Sequence, residues 1–118
     1  MILYYEQIII IQLVIRMNCN VLVSPLEAPG LDFRKQNDVR AAVSYFQGMT
    51  QKLSVDPSLT VSAANLFSLA TASAPDSIKA TLVFLRIKSN GKLLDMTKTF
   101  TEQKVTADAF LKIEVLVN

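Results

Sequence analysis

The sequence contains no histidine and no tryptophan, and it has one cysteine and three glycines among 118 residues. Without histidine there is no imidazole for a Ser–His or Cys–His pair and none to bind a metal ion. The single cysteine, Cys19, excludes an intrachain disulfide and a cysteine-based zinc cluster. The glycines are far apart in the sequence, so no glycine-rich phosphate loop is present. We therefore expect a protein that is not an enzyme and that holds no metal and no cofactor.

The composition is more apolar and less charged than that of an average globular domain. Hydrophobic residues make up 51% and charged residues 19% of the chain, whereas about 25% charged residues is usual. The net charge of +2 is too small to indicate a nucleic-acid or membrane partner. The length predicts a single domain over residues 1–118. The apolar excess fits either a well-filled core or surface that is hidden in an assembly.

An isoleucine-rich stretch, QIIIIQLVIRMNCNVLVS, covers residues 7–24. No Lys or Arg precedes the apolar run and no small-residue cleavage site follows it, which argues against a signal peptide. Glu6 and Arg16 bound a run that is shorter than the roughly 20 apolar residues of a membrane helix. We therefore expect no membrane span and a cytoplasmic or virion-associated protein. Met17 is an alternative start, so it stays open whether residues 1–16 belong to the mature chain.

The same stretch has the alternation of a β-strand. Every odd position from Ile9 to Val23 is apolar, while half of the even positions are polar. This period of two, rich in β-branched residues, predicts a strand with one buried face. Ile8 and Ile10 make the beginning of the stretch apolar on both faces, which predicts that they contact a partner. The two prolines and the glycine of residues 24–32 are expected to end the strand.

Two helices are predicted after the first strand. The first covers residues 37–53, where apolar residues recur at helical spacing on one face. The second is expected to begin at Pro57, with Asp56 as its cap. No charged residue lies between Asp56 and Asp76, so the outer face of the second helix is small and uncharged. That face is a candidate protein interface, together with the two isoleucines of the first strand: Thr60, Val61, Ala64, Ser68, Ala72, Ile8 and Ile10.

The last forty residues are predicted to form sheet. Asn90-Gly91 lies between two strand-like runs and predicts a type I′ hairpin. That turn sets Ser89 opposite Lys92 and Arg86 opposite Asp95, and it places five apolar residues on one face: Val83, Leu85, Ile87, Leu94 and Met96. A final strand over residues 108–118 alternates apolar residues with Lys112 and Glu114. The element order β-α-α-β-β-β predicts an α+β fold, with a mostly antiparallel sheet of about four strands packed on two helices.

These features favour a non-catalytic protein-interaction or structural subunit, self-associating in the manner of virion or shell components. The alternative is a nucleic-acid-binding module that uses an outward basic face of the sheet with exposed aromatics. The candidate residues for that face are Arg16, Phe84, Arg86, Lys88, Phe110 and Lys112. A third possibility is a small inhibitor or adaptor that docks on one protein partner.

Overall fold

The computed structural model describes residues 15–30 and 33–118. The predictions for residues 1–14, which include Ile8 and Ile10, lie outside these ranges. A short 3-10 helix covers Phe33–Lys35. The other elements, in chain order, are β1 Met17–Glu27, α1 Gln36–Phe46, β2 Thr50–Val55, α2 Val61–Ala64, α3 Leu66–Thr71, α4 Asp76–Lys79, β3 Leu82–Ser89, β4 Lys92–Leu93 and β5 Phe110–Val117.

The five strands form one mixed sheet in the order β2-β1-β5-β3-β4. Strands β1 and β5 are parallel, and the three other pairs are antiparallel. The predicted α+β class is confirmed. The predicted sheet of about four mostly antiparallel strands is wrong, and so is the order β-α-α-β-β-β, because β2 follows α1 and three short helices follow β2.

The alternation of the first strand is confirmed from Met17 onward. Met17, Cys19, Val21 and Val23 are buried, and the residues between them are not. The strand continues to Glu27 rather than ending at the first proline. Pro25 is accommodated because β2 pairs with β1 only as far as Leu22, so the missing N–H lies beyond that ladder.

The first helix ends at Phe46, seven residues earlier than its apolar spacing predicts. Gly48 has a φ of 69°, a left-handed conformation that ends helices and that glycine adopts at little cost. The chain then runs antiparallel to β1 as β2, where Leu53 and Val55 point to the core side and Lys52 and Ser54 do not. Sheet pairing thus overrides the helical spacing in this segment.

The second predicted helix is divided and begins later than expected. Asp56 accepts hydrogen bonds from the backbone N–H and hydroxyl of Ser58 at 3.0 and 2.6 Å, which forms a turn instead of a cap. Thr60 is the cap, since its hydroxyl accepts from the N–H of Ala63 at 3.1 Å. Asn65, with a φ of 54°, then separates α2 from α3. This break rotates the residues after it away from the helical face that continuous spacing predicts.

The Asn90-Gly91 hairpin is confirmed, with Ser89 opposite Lys92 and positive φ at both turn residues. Strand β4 ends after Leu93, however, so Arg86 does not pair with Asp95. On the other edge of β3, Arg86 lies opposite Glu114 of β5. A bulge between Phe84 and Arg86 shifts the alternation of β3 by one residue.

Because of the bulge, the predicted apolar face of the hairpin is only partly correct. Ile87 and Leu94 are buried and Met96 is partly buried against the core, but Val83 and Leu85 are exposed. Leu82 and Phe84 take the core side in their place. One extra residue therefore reverses the orientation of every side chain before it in the strand.

The core lies on one side of the sheet. Alternate residues of β1 and β5 meet buried side chains of the helices, including Ala42, Phe46, Val61, Leu66 and Ala70. We call this side the packed face. Each strand places its remaining side chains on the opposite side of the sheet.

Candidate functional site

The second side of the sheet, called here the open face, is defined by the registers of the five strands. Residues that are paired across neighbouring strands share a face. The open face therefore comprises Ser54, Lys52 and Thr50 of β2, Asn18, Asn20, Leu22, Ser24 and Leu26 of β1, Phe110, Lys112, Glu114 and Leu116 of β5, Val83, Arg86 and Lys88 of β3, and Leu93 of β4. None of these side chains belongs to the hydrophobic core of the described residues.

One end of the open face is apolar. Leu26 pairs with Leu116, and Leu116 pairs with Val83, so the three side chains form a row across β1, β5 and β3. Val83 is 47% exposed, although it lies within a strand. We call this row the apolar end.

A buried carboxylate borders the apolar end. Glu114 is 7% exposed and its Oε1 accepts a hydrogen bond from Nε of Arg86 at 2.6 Å. Lys88 Nζ lies 3.3 Å from the same oxygen. The hydrogen bond from Arg86, together with the nearby Lys88 ammonium, lowers the pKa of Glu114 despite its burial. Glu114 is therefore ionised at neutral pH and neutralises part of the charge of two cations.

The other end of the open face is basic. Lys88 and Lys112 stand directly opposite each other on β3 and β5. Phe110, which is 38% exposed, precedes Lys112 by one pleat on the same face. Across β1, Asn20 pairs with both Phe110 and Lys52, so a third lysine lies on the same side. We call Lys88, Lys112, Phe110 and Lys52 the basic end.

A small cavity opens beside the basic end. It has a volume of about 260 Å³ and is lined by Lys88, Lys112, Phe110 and the turn residues Asn90 and Gly91. The turn is held against β5, because the N–H of Asn90 donates to the carbonyl of Phe110 at 3.0 Å. The hairpin thus fixes the wall of the cavity.

The structure brings together four of the six residues predicted to bind nucleic acid and separates the other two from them. Arg86, Lys88, Phe110 and Lys112 do lie together on the open face. Phe84 does not, because the bulge turns it to the packed face, where its ring centroid lies 5.7 Å from that of Phe67. Arg16 lies at the far edge and donates to the hydroxyl and carbonyl of Ser54 at 2.8 and 2.9 Å.

Only some of the residues predicted to form a protein interface on the second helix are exposed. Val61 is fully buried and Ala64 packs against the core, so neither forms an outer face. Thr60 is partly buried and its hydroxyl is engaged as a cap. Ser68 and Ala72 are exposed. The break at Asn65 is the physical reason, since the prediction assumed one continuous helix.

Leu26, Leu116 and Glu114 were not among the predicted site residues. The sequence did contain a signal for Leu116, because it has the same parity as Lys112 and Glu114 on the last strand. A single exposed leucine is common on protein surfaces, so Leu116 gains meaning only together with the apolar neighbours that the sheet places beside it. No local signal marked Leu26, whose neighbours are known only from the long-range pairing of β1 with β5.

A larger cavity of about 580 Å³ lies between the hairpin and the loop before β5. The two carboxylates that line it accept hydrogen bonds from nearby residues of the local turns. Asp95 accepts from the N–H and hydroxyl of Thr97 at 2.9 and 2.6 Å, and Glu102 accepts from the N–H of Thr99 at 3.2 Å. The hydrogen bonds from Thr97 lower the pKa of Asp95.

Within residues 15–30 and 33–118, no group of three His, Cys, Asp or Glu side chains is arranged to hold a metal ion. Cys19 is buried, and burial, followed by repulsion from Asp108, raises the pKa of its thiol. The protonated thiol is a poor nucleophile. No helix in the described part of the chain has the length and hydropathy to cross a membrane.

No protein-family model and no curated protein matches the chain. Among solved structures, a chain of phenol hydroxylase from Pseudomonas sp. OX1 is similar with a TM-score of 0.53 and 19% identity, covering 84% of this chain and 72% of that one. An ubiquitin from Caldiarchaeum subterraneum gives a TM-score of 0.44 and 17% identity, over 87% of this chain and 94% of that one. At such identities the first likeness concerns the fold alone, and the second supports no conclusion.

Proposed function

We propose that this protein is a non-catalytic protein-interaction module that self-associates through the apolar end of the open face. The observation that supports this most strongly is the row of Leu26, Leu116 and Val83 on a sheet face that contributes no side chain to the core of the described residues. Removing such side chains from water is favourable by about 25 cal/mol per Å² of apolar surface.

A second copy is the simplest partner for this row. An isologous contact brings the same patch of two molecules together, and apolar side chains need no opposite charge across the contact. On the open face, the charges next to the row belong to Arg86 and Glu114, which already pair with each other. The lysine pair lies about 13 Å further along β5, four residues from Leu116 at roughly 3.3 Å per residue, and so outside the contact.

Light scattering coupled to size exclusion tests this proposal on the full chain. We expect a weak dimer, because contacts burying less than about 1,200 Å² are typically transient, so loading concentrations should extend from about 10 µM to 1 mM. An apolar contact should survive a rise in salt concentration. A mass that stays monomeric over the whole range would contradict self-association.

A further inference from the structure

We infer that the basic end of the open face binds a nucleotide unit, with its phosphate between Lys88 and Lys112 and its base against Phe110. The inference is independent of self-association, because the apolar and basic ends occupy different rows of the sheet.

The lysine register is the first observation that supports this site. Like charges directly opposite each other on neighbouring strands are unfavourable, yet Lys88 and Lys112 are paired in this way. Among the described residues, Glu114 is the acidic partner of this region and it is shared by Arg86 and Lys88. Lys112 therefore contributes a charge that a bound anion would neutralise.

The aromatic ring and the cavity are the second observation. Phe110 presents an exposed ring beside both lysines, and the cavity that these three residues line holds about 260 Å³. Small-molecule sites usually measure about 300–1,000 Å³, so this one is suited to a single unit. A phosphate with an attached base satisfies both features, since bases stack on aromatic side chains and phosphates bind lysines. A carboxylate alone would leave the ring unused.

The position of Lys52 extends the site into a path. Lys52 and Phe110 flank Asn20 on the adjacent strands, which places their Cα atoms about 10 Å apart at roughly 4.8 Å per strand. A neighbouring phosphate of the same strand can therefore lie near Lys52. The ligand chemistry is thus that of a nucleotide, either free or as part of a single-stranded nucleic acid.

Fluorescence anisotropy with a labelled uridine oligonucleotide of about ten residues tests the inference. With three lysines engaged, affinity should fall about twentyfold between 50 and 200 mM salt. Lys112→Gln should weaken binding and reduce the salt dependence, and it removes a like-charge pair, so folding is not at risk. Phe110→Leu should weaken binding at least fivefold. Lys79→Gln, which removes a lysine from α4, is the matched control and should bind like the wild type.

Two competitors separate the possible sources of the anion. Uridine monophosphate that competes at the same site would identify a free nucleotide as sufficient, and competition by longer oligonucleotides alone would identify nucleic acid. Polyglutamate that binds as tightly as the oligonucleotide, with no effect of Phe110→Leu, would overturn the inference in favour of an acidic protein partner. Absence of oligonucleotide binding at low salt would also overturn it.

Discussion

The two faces of the sheet are built from the same strands but differ in the composition and burial of their side chains. On β5, Val115 is fully buried against the helices, while the next residue, Leu116, lies on the open face with Leu26 and Val83 beside it. The packed face is apolar along β1 and β5, whereas the open face combines leucines, a half-buried ion pair and lysines. The packed face holds the fold together, so the chemistry of the open face is available for binding.

The largest expected difference between the faces is in stability. Val115→Ala should lower the free energy of unfolding by about 2–3 kcal/mol, because it leaves a cavity in the core. Val83→Ala, the same change on the open face of the paired strand, should cost no more than about 0.5 kcal/mol. Urea unfolding of both variants at low protein concentration measures the two values. Equal losses would show that the open face is as tightly packed as the other.

Glu114→Gln tests the ion pair between the two ends of the open face. We expect a loss of about 1–2 kcal/mol at pH 7, since a hydrogen bond between charged groups is replaced by a weaker one. The folded-state pKa of Glu114 is lowered, so its contribution is fully present above the unfolded-state pKa of about 4.3 and is lost as the pH falls through the folded-state value.

The pH profile distinguishes Glu114 from the other carboxylates. Hydrogen bonds from Ser58 and Thr97 also lower the pKa values of Asp56 and Asp95, but those groups titrate in both proteins. Thermal unfolding from pH 7 to pH 3 should therefore show the variant converging on the wild type in acid. Glu27→Gln is the control for the loss of one negative charge. A gap that does not narrow as the pH falls would argue against the ion pair as its cause.

The hairpin turn belongs to neither face, and its substitution should have the smallest effect. Gly91 has a φ of 84°, and no atom within 4 Å would meet an added Cβ, so Gly91→Ala should cost about 1 kcal/mol through backbone strain alone. Asn90→Gly should stay within about 0.5 kcal/mol, because glycine adopts the same conformation freely. Comparison of the two unfolding midpoints checks this order.

The sequence predicted the features that local patterns determine. The alternation of β1 from Met17 and the Asn90-Gly91 turn are correct because their signals lie within a few residues. Placement of Lys88 and Lys112 on one face is correct for the same reason.

Long-range pairing accounts for the errors. Strand β2 forms because Thr50–Val55 completes the edge of β1, although its residues also fit the helical spacing of the preceding segment. The parallel pairing of β1 with β5 joins segments from opposite ends of the described chain. The bulge before Arg86 places Phe84 on the core side and not on the predicted nucleic-acid face. No residue in that part of the sequence predicts the bulge.

We propose the open face, and not the helical side, as the surface through which the protein self-associates. Light scattering on Leu116→Glu and Ser68→Glu tests it most directly, since each variant adds one carboxylate, the first at the apolar end and the second at the exposed position on α3. We predict that Leu116→Glu remains folded and monomeric at concentrations where the wild type and Ser68→Glu are both dimeric. A dimer that survives Leu116→Glu and is lost in Ser68→Glu would place the contact on the helical side instead.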